Sequence, residues 1–314
     1  MAASLVTGGA GFIGSHIVEE LVRRGHRVRV LDDFSTGRRE NLDSVRDAVE
    51  ILEGDVRDLE TCRRAAAGVD FLFHEAARIS VPQSVEDPFR NDSVNVGGTL
   101  NVLWAAKEVG AKRLVFASST SVYGDNPELP KRETMSGVPL SPYALSKWIG
   151  ERYCQSFSRI YGIPAVALRY FNVFGPRQDP RSPYAAAVPV FIRRVLAGQP
   201  PVIFGDGEQT RDFVYVEDVV QANLLAAETP GVSGEVFNVA AGESLSIGTL
   251  ARMIAEILGR PLDPVHAPER AGDIRHSAAD IGKIGAALGF RPFFSFRTGL
   301  ERTIAWQQAQ RRDP

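Results

Sequence analysis

The chain has 314 residues, 44% apolar and 24% charged, with a net charge of −2. That length can carry one large α/β domain or two interlocked ones, and the near-neutral charge argues against nucleic acid or an anionic membrane as partner. No apolar run reaches the roughly 18 residues needed to span a bilayer, and strand-like sequence from Ser4 leaves no room for a signal peptide, so a cytoplasmic protein is expected.

Ser4–Thr7 reads as a strand and Phe12–Arg24 as a helix closed by Gly25. Between them Gly8, Gly11 and Gly14 are spaced G-x-x-G-x-x-G, with Phe12 and Ile13 inside the turn. A glycine-rich turn between strand and helix lets backbone approach a pyrophosphate, and the helix N-terminus adds N–H donors and partial positive charge. A second strand, Arg27–Leu31, runs into Asp32. A carboxylate there accepts bonds from a ribose 2′-hydroxyl and repels a 2′-phosphate, which favours NAD over NADP. Asp32 is preferred to its neighbour Asp33 for this contact, and Arg38 and Arg39 keep a 2′-phosphate open. Val49–Glu53 is a strand ending at Gly54-Asp55-Val56; Asp55 either borders an adenine pocket or caps the helix Leu59–Ala67. Cys62 in that helix and Cys154 further on lie in no C-x-x-C pattern and read as reduced structural thiols; no metal site is expected.

Phe71–His74 is the next strand, Pro88–Val109 a long helix weakened at Gly97-Gly98, Arg113–Ala117 a strand, Pro142–Tyr161 a helix and Ala165–Arg169 a strand. This alternation implies a parallel sheet with helices on both faces. After Tyr170 the pattern loosens: a loop over 174–185, a helix Val190–Ala197, a strand Val202–Phe204, a turn at Gly205-Asp206-Gly207 and helices over 217–228 and 247–258. The expected fold is α/β, a Rossmann-type doubly wound parallel sheet with a smaller C-terminal α/β substrate lobe. Residues 1–170, with part of about 212–240 returning, would form the NAD-binding domain and 171–314 the second lobe, with the ligand cleft between.

Tyr143 and Lys147 are four apart on the Pro142–Tyr161 helix and share one face. A nearby ammonium, and the positive ring of an oxidised nicotinamide, favour a phenolate that can take a proton from a hydroxyl. Ser119 ends the strand Leu114-Val-Phe-Ala-Ser-Ser119, at the edge where open α/β sheets place their chemistry. Glycine turn and Tyr/Lys pair together imply hydride chemistry at a carbinol carbon.

With these residues the chain resembles the extended short-chain dehydrogenases/reductases, and within them the NAD-dependent UDP-sugar 4-epimerases. Further matching motifs are Asp32-Asp-Phe, Gly54-Asp-Val, Val94-Asn95-Val-Gly-Gly-Thr, Ser118-Ser-Thr-Ser-Val-Tyr-Gly-Asp, Ser141-Pro-Tyr-Ala-Leu-Ser-Lys, Arg169-Tyr-Phe-Asn172, Gln209-Thr-Arg211-Asp-Phe-Val and Ala267-Pro-Glu-Arg270-Ala-Gly-Asp273. The resemblance implies that Tyr143 removes the sugar 4-hydroxyl proton while C4 gives hydride to NAD, and that the 4-ketose turns over before both return. It places Ser119 on the 4-oxygen, Thr120 beside the sugar, Asn172, Arg211 and Arg270 on the uridine diphosphate, and Asp273 near the uridine ribose. It adds Val56 and Ala76 to the cofactor site.

Related 4,6-dehydratases carry Thr-Asp-Glu where this chain has Ser119-Thr120-Ser121, and similar decarboxylases a glutamate at the Ser121 position, so the hydroxyl-only strand end favours plain epimerisation. A bulky tyrosine that closes the sugar pocket in enteric galactose epimerases falls at Ser277, which implies room for an N-acetyl group. A uronate is the closest rival substrate, with Arg78 and Thr120 available to its carboxylate; a net oxidoreductase of the same superfamily is the rival class. The resemblance also implies a homodimer in which Pro88–Val109 and Pro142–Tyr161 form a four-helix interface, with Trp104, Ala105, Ala106 and Phe157 as candidate contacts.

Overall fold

The computed structural model describes residues 1–180, 186–260, 263–269 and 274–310. Its strands are β1 (Ala3–Thr7), β2 (Arg27–Asp32), β3 (Val49–Glu53), β4 (Phe71–His74), β5 (Arg113–Ser119), β6 (Ala165–Tyr170), β7 (Asn172–Phe174), β8 (Val202–Phe204), β9 (Thr210–Tyr215), β10 (Val236–Val239), β11 (Ser244–Ser246) and β12 (Val265–Ala267). Its helices are α1 (Phe12–Arg23), α2 (Leu59–Ala66), α3 (Val81–Glu86), α4 (Pro88–Asp92), α5 (Gly98–Glu108), α6 (Pro142–Tyr161), α7 (Ala187–Leu196), α8 (Val216–Glu228), α9 (Ile247–Ile257), α10 (Gly282–Leu288) and α11 (Phe296–Gln310).

Seven strands form one parallel sheet in the order β3-β2-β1-β4-β5-β6-β10. Its strands are buried on both faces, as parallel crossovers demand. One face packs on α1, α8 and α10 through Ile17, Leu21, Val219, Leu224, Ile284 and Leu288. The other packs on α2, α5 and α6 through Cys62, Val102, Leu103, Cys154 and Phe157. The chain leaves β1 toward β2 and β3, then returns to add β4 on β1's other side, so the switch point lies between β1 and β4. There the two outgoing loops separate and leave a crevice. A second apolar core joins β9 and β7 of a three-stranded sheet, and β8 of a two-stranded one, to α7, α9 and α11 through Phe174, Phe191, Ile203, Phe213, Leu250 and Leu300.

The expected α/β fold is the one found, and the main elements fall within a few residues of their expected ends. Several features differ, among them β9, β10, β11 and β12, which are strands where none is expected. The long helix is three pieces, α4, a π turn over Ser93–Gly97 and α5, because one extra residue is accommodated before the paired glycines. α3 was not anticipated, although Ser80 caps it by accepting from the Gln83 N–H, in the Ser-x-x-Gln spacing of a capping box. Arg39–Ala48 forms a 3-10 helix, and β7, an unexpected strand, runs into the start of the loop expected over 174–185.

Candidate active site

β1 ends where it does because the next residues cannot carry side chains. Gly8 has φ +68°, and a Cβ on it would lie 2.7 Å from the Ala76 nitrogen. A Cβ on Gly14 would lie 2.2 Å from the Gly8 carbonyl oxygen. The turn therefore folds back on the start of α1, and the Gly11 N–H donates to the Gly8 carbonyl at 3.0 Å. Phe12 and Ile13 turn their side chains into the apolar core around β7 and β9, which leaves their backbone N–H groups at the helix mouth. This cradle at the switch point fits a dinucleotide pyrophosphate.

Asp32 closes the cradle from β2. It is buried, and accepts from the Ala10 and Phe34 N–H groups at 2.9 Å each. Burial holds its carboxyl above the usual range, and those two bonds oppose the rise. Asp33 points outward and accepts from the Ser35 N–H and hydroxyl instead. Arg38 pairs with Asp179 at 2.8 Å, and Arg39 pairs with Glu53 and lies over the Phe34 ring. The two cations that kept a 2′-phosphate open are thus occupied by carboxylates. Asp55 does not cap α2: Asp58 does, accepting from the Glu60 N–H, while Asp55 is gripped by Arg57 at 2.6 and 2.8 Å. Val56 is buried against Gly98, and its carbonyl accepts from Asn101.

The residues expected to be catalytic, Ser119, Tyr143 and Lys147, come together where α6 meets the C-terminal end of β5. Ser141 caps α6, accepting from the Ala144 N–H at 3.1 Å, and Pro142 occupies its first turn. Tyr143 and Lys147 follow one turn apart. The Lys147 ammonium is buried and donates to the Ala117 carbonyl of β5 at 2.7 Å. Burial brings its pKa down to about 8, against a smaller upward pull from Glu75. Burial pushes the Tyr143 phenol up, and the Ser119 hydroxyl facing it acts the other way. Ser119 also accepts from the Ser121 N–H at 3.2 Å, which starts the 3-10 turn Thr120–Tyr123. The Ser121 hydroxyl is buried without a partner.

Two buried side chains absent from the expected set hold these groups. Asn95, turned inward at the π turn, accepts from the Arg78 N–H at 2.8 Å and donates to the Arg78 carbonyl at 3.0 Å and Ser146 at 3.1 Å. It thereby ties the loop after β4 to the turn of α6 that carries Tyr143 and Lys147. Glu75, the first residue after β4, accepts from the Tyr170 hydroxyl at 2.8 Å. The sequence does carry a signal for it, a carboxylate directly after the last residue, His74, of an otherwise apolar strand. His74 beside it is buried between Thr7 and Thr99, and burial brings its pKa down to about 3. Thr99 donates its hydroxyl hydrogen to the Asn95 carbonyl, so His74 Nε2 carries the ring proton.

The remaining expected residues lie on the second core. Asn172 opens β7; Arg211 on β9 donates to the Thr210 carbonyl at 2.8 Å. Ser277 is buried and its N–H donates to the Thr210 carbonyl at 3.1 Å. Arg270 and Asp273 lie outside the described residues. Cys62 and Cys154 are free and buried; burial raises the Cys62 thiol to about 12 and the Cys154 thiol further, so neither is a nucleophile at neutral pH. Among the described residues no cluster of side chains could hold a metal ion, and no helix is long and apolar enough to cross a membrane.

A reversing parallel sheet, a three-glycine cradle at the reversal and a Ser/Tyr/Lys set on the adjoining edge define the class as a dinucleotide-dependent short-chain dehydrogenase/reductase fold. The chain matches the NAD dependent epimerase/dehydratase family over residues 4–240, and it belongs to that family. It is 41% identical to a UDP-glucose 4-epimerase of Mycolicibacterium smegmatis over 305 residues, 96% of this chain and 97% of the relative. It is 42% identical to a UDP-N-acetylglucosamine 4-epimerase from Methanobrevibacter ruminantium M1, solved with UDP-N-acetylmuramic acid, with TM-score 0.95 over 98% of this chain and 99% of that one. A UDP-glucose 4-epimerase of Thermus thermophilus, solved with NAD, is 40% identical, with TM-score 0.88 and the same coverage.

Proposed function

We propose that this protein is a UDP-sugar 4-epimerase that interconverts UDP-glucose with UDP-galactose, and UDP-N-acetylglucosamine with its galacto epimer, through a transient 4-keto sugar. The observation that carries the reading is the meeting of Ser119, Tyr143 and Lys147 on one sheet edge beside the glycine cradle. Gly8, Gly11, Gly14, the Phe12 and Ile13 backbone, Asp32, Val56, Ala76, Tyr143 and Lys147 would hold NAD, which when bound would supply a reversible hydride acceptor. Asp32 rather than Asp33 or Asp55 is the ribose-facing carboxylate in this reading, since Asp33 is exposed on its own turn and Asp55 is gripped by Arg57.

Tyr143 takes the 4-hydroxyl proton and returns it once the ketose presents its other face. Ser119 bonds the 4-oxygen and Thr120 borders the ring. Lys147 favours the phenolate by its charge. Asn172, Arg211 and Arg270 hold the diphosphate, as forked donors suit it, and Asp273 holds the uridine ribose. Ser277, too short to close the pocket, admits an acetamido group at C2. In this division residues 1–170, joined by β10, hold the cofactor, and 171–314 hold the nucleotide-sugar.

We further propose a cytoplasmic homodimer through α5 and α6. Ala105 and Ala106 belong to the protomer's own core and drop out as contacts, whereas Phe157, largely buried in that core, still lines the surface alongside. The apolar groove beside them, of about 440 Å³ and lined by Leu100, Trp104, Tyr153, Ile160 and Tyr161, takes their place.

The test is proton NMR of UDP-N-acetylglucosamine and, separately, UDP-glucose incubated with purified protein and no added cofactor. Galacto products from both are expected. Galactose alone would keep the mechanism and refute the role given to Ser277, and turnover of N-acetyl sugar by Ser277→Tyr would refute it too. No product from either would overturn both proposed substrates; UDP-glucuronate tried next then separates an epimerase of uronates from a net oxidoreductase, which would turn over only with added cofactor.

A further inference from the structure

Glu75 follows directly on β4, at the edge shared by β4, β5 and β6, and the proton transfer above gives it no task; Glu151, the other buried carboxylate near that edge, is taken up by Arg169 and Ser118. Its place follows from register. His74 pairs with Phe116 across β4 and β5, which sets Glu75 opposite Ala117, whose carbonyl receives the Lys147 ammonium. Side chains alternate along a strand, so Glu75 shares the face of Phe73, the α1 and α8 side. Lys147 reaches the same strand end from α6, on the opposite side.

The carboxylate is held, not loose. Tyr170, two strands away on β6, passes its hydroxyl under the end of β5 to donate to Glu75 at 2.8 Å. Only a small side chain leaves room there, and Ala117 supplies it. Asn223 of α8 fixes the phenol from behind, donating its amide to the Tyr170 oxygen at 2.8 Å. The titratable groups facing Glu75 are Lys147 from α6 and Tyr170 from β6; Asn223 from α8 is uncharged, and His74 next to it is neutral.

We propose that Glu75 is a positioning residue for the redox site: clamped by Tyr170, it is the counter-charge across the end of β5 that keeps Lys147 protonated, and through Lys147 keeps Tyr143 able to accept a proton. The inference rests on the roles given above to Tyr143 and Lys147. It is consistent with burial pulling the two partners toward each other, Glu75 up to about 7 and Lys147 down to about 8. Each charge offsets part of the other's desolvation.

The test reads Lys147 directly. The chain has five lysines, so the side-chain ammonium signals of protein labelled at lysine nitrogen can be assigned and followed against pH by NMR. In Glu75→Gln, which keeps an acceptor for Tyr170 but not the charge, the Lys147 midpoint is expected to fall by about one unit. The alkaline limb of kcat should move down with it, while KM for the UDP-sugar stays within about twofold. Tyr170→Phe, which removes the donor that favours the charged carboxylate, should move the Lys147 midpoint the same way by less, and serves if the first variant does not fold. An unmoved midpoint in the folded variants overturns the proposal. A moved midpoint in a protein that epimerises no UDP-sugar would uphold the pair and fail only the reading of the reaction.

Discussion

Gly14 shows how much a single hydrogen atom decides at the cofactor cradle. A methyl group there would overlap the Gly8 carbonyl at 2.2 Å, well inside van der Waals contact, and that oxygen cannot retreat because it is bonded to the Gly11 N–H. Gly14→Ala is therefore expected to push the turn away from α1 and lower NAD carried through purification at least about tenfold. Cofactor released by acid and quantified per protomer checks it; wild-type occupancy in the variant would contradict the cradle's assignment. At this scale the sequence was most informative where chemistry depends on local spacing. Gly8, Gly11 and Gly14, and Tyr143 with Lys147, are read from separations that one turn of backbone enforces. Glu75 was missed for the converse reason: the group that gives it meaning, Tyr170, lies 95 positions away, and only strand order brings them together.

At the scale of the element, α6 is the part on which the site depends. Its inner face carries Lys147, Glu151, Cys154 and Phe157, all buried. Glu151 takes both arms of the Arg169 fork at 2.8 Å and the Ser118 hydroxyl at 2.6 Å, so one carboxylate pins the helix to β5 and β6 together. Both partners are almost fully enclosed, at 0% and 1% exposure, where a lone charge is expensive. Glu151→Leu should cost about 3–5 kcal/mol, and adding Arg169→Met should recover most of it, since the isolated cation is the larger penalty. Chemical denaturation of the two variants decides this; no recovery in the double variant would mean the pair itself supplies the stability. Element boundaries were legible wherever hydrophobic period and caps agreed, as for α6 with Ser141 and Gly162. They were not legible at Ser93–Gly97, where the π turn serves Asn95's contacts with Arg78 and Ser146 rather than any local preference. Nor were they at β7, β9, β10, β11 and β12, where pairing with strands distant in sequence, rather than a local alternating pattern, sets the ends; β8, as short as β7, was legible as an apolar run closed by the turn at Gly205-Asp206-Gly207.

For the whole molecule, the outer faces of α5 and α6 carry more apolar surface than a lone protomer has use for: Leu100, Ile160 and Tyr161 are 36%, 68% and 44% exposed around the groove. In the homodimer proposed above one substitution is made twice, so Ile160→Asp is expected to yield monomers at micromolar concentration by light scattering, with the protomer still folded. A dimer undisturbed by that change would place the interface elsewhere. The order of strands has another consequence, for synthesis. β10, the strand that covers β6, is encoded only after α7, β8, β9 and α8. A nascent chain that has delivered β1 to β6 therefore emerges from the ribosome with a bare parallel edge, the kind of edge that recruits other strands. It stays bare until about residue 240 has cleared the exit tunnel. Splitting the gene anywhere between β6 and β10 would make that transient exposure permanent.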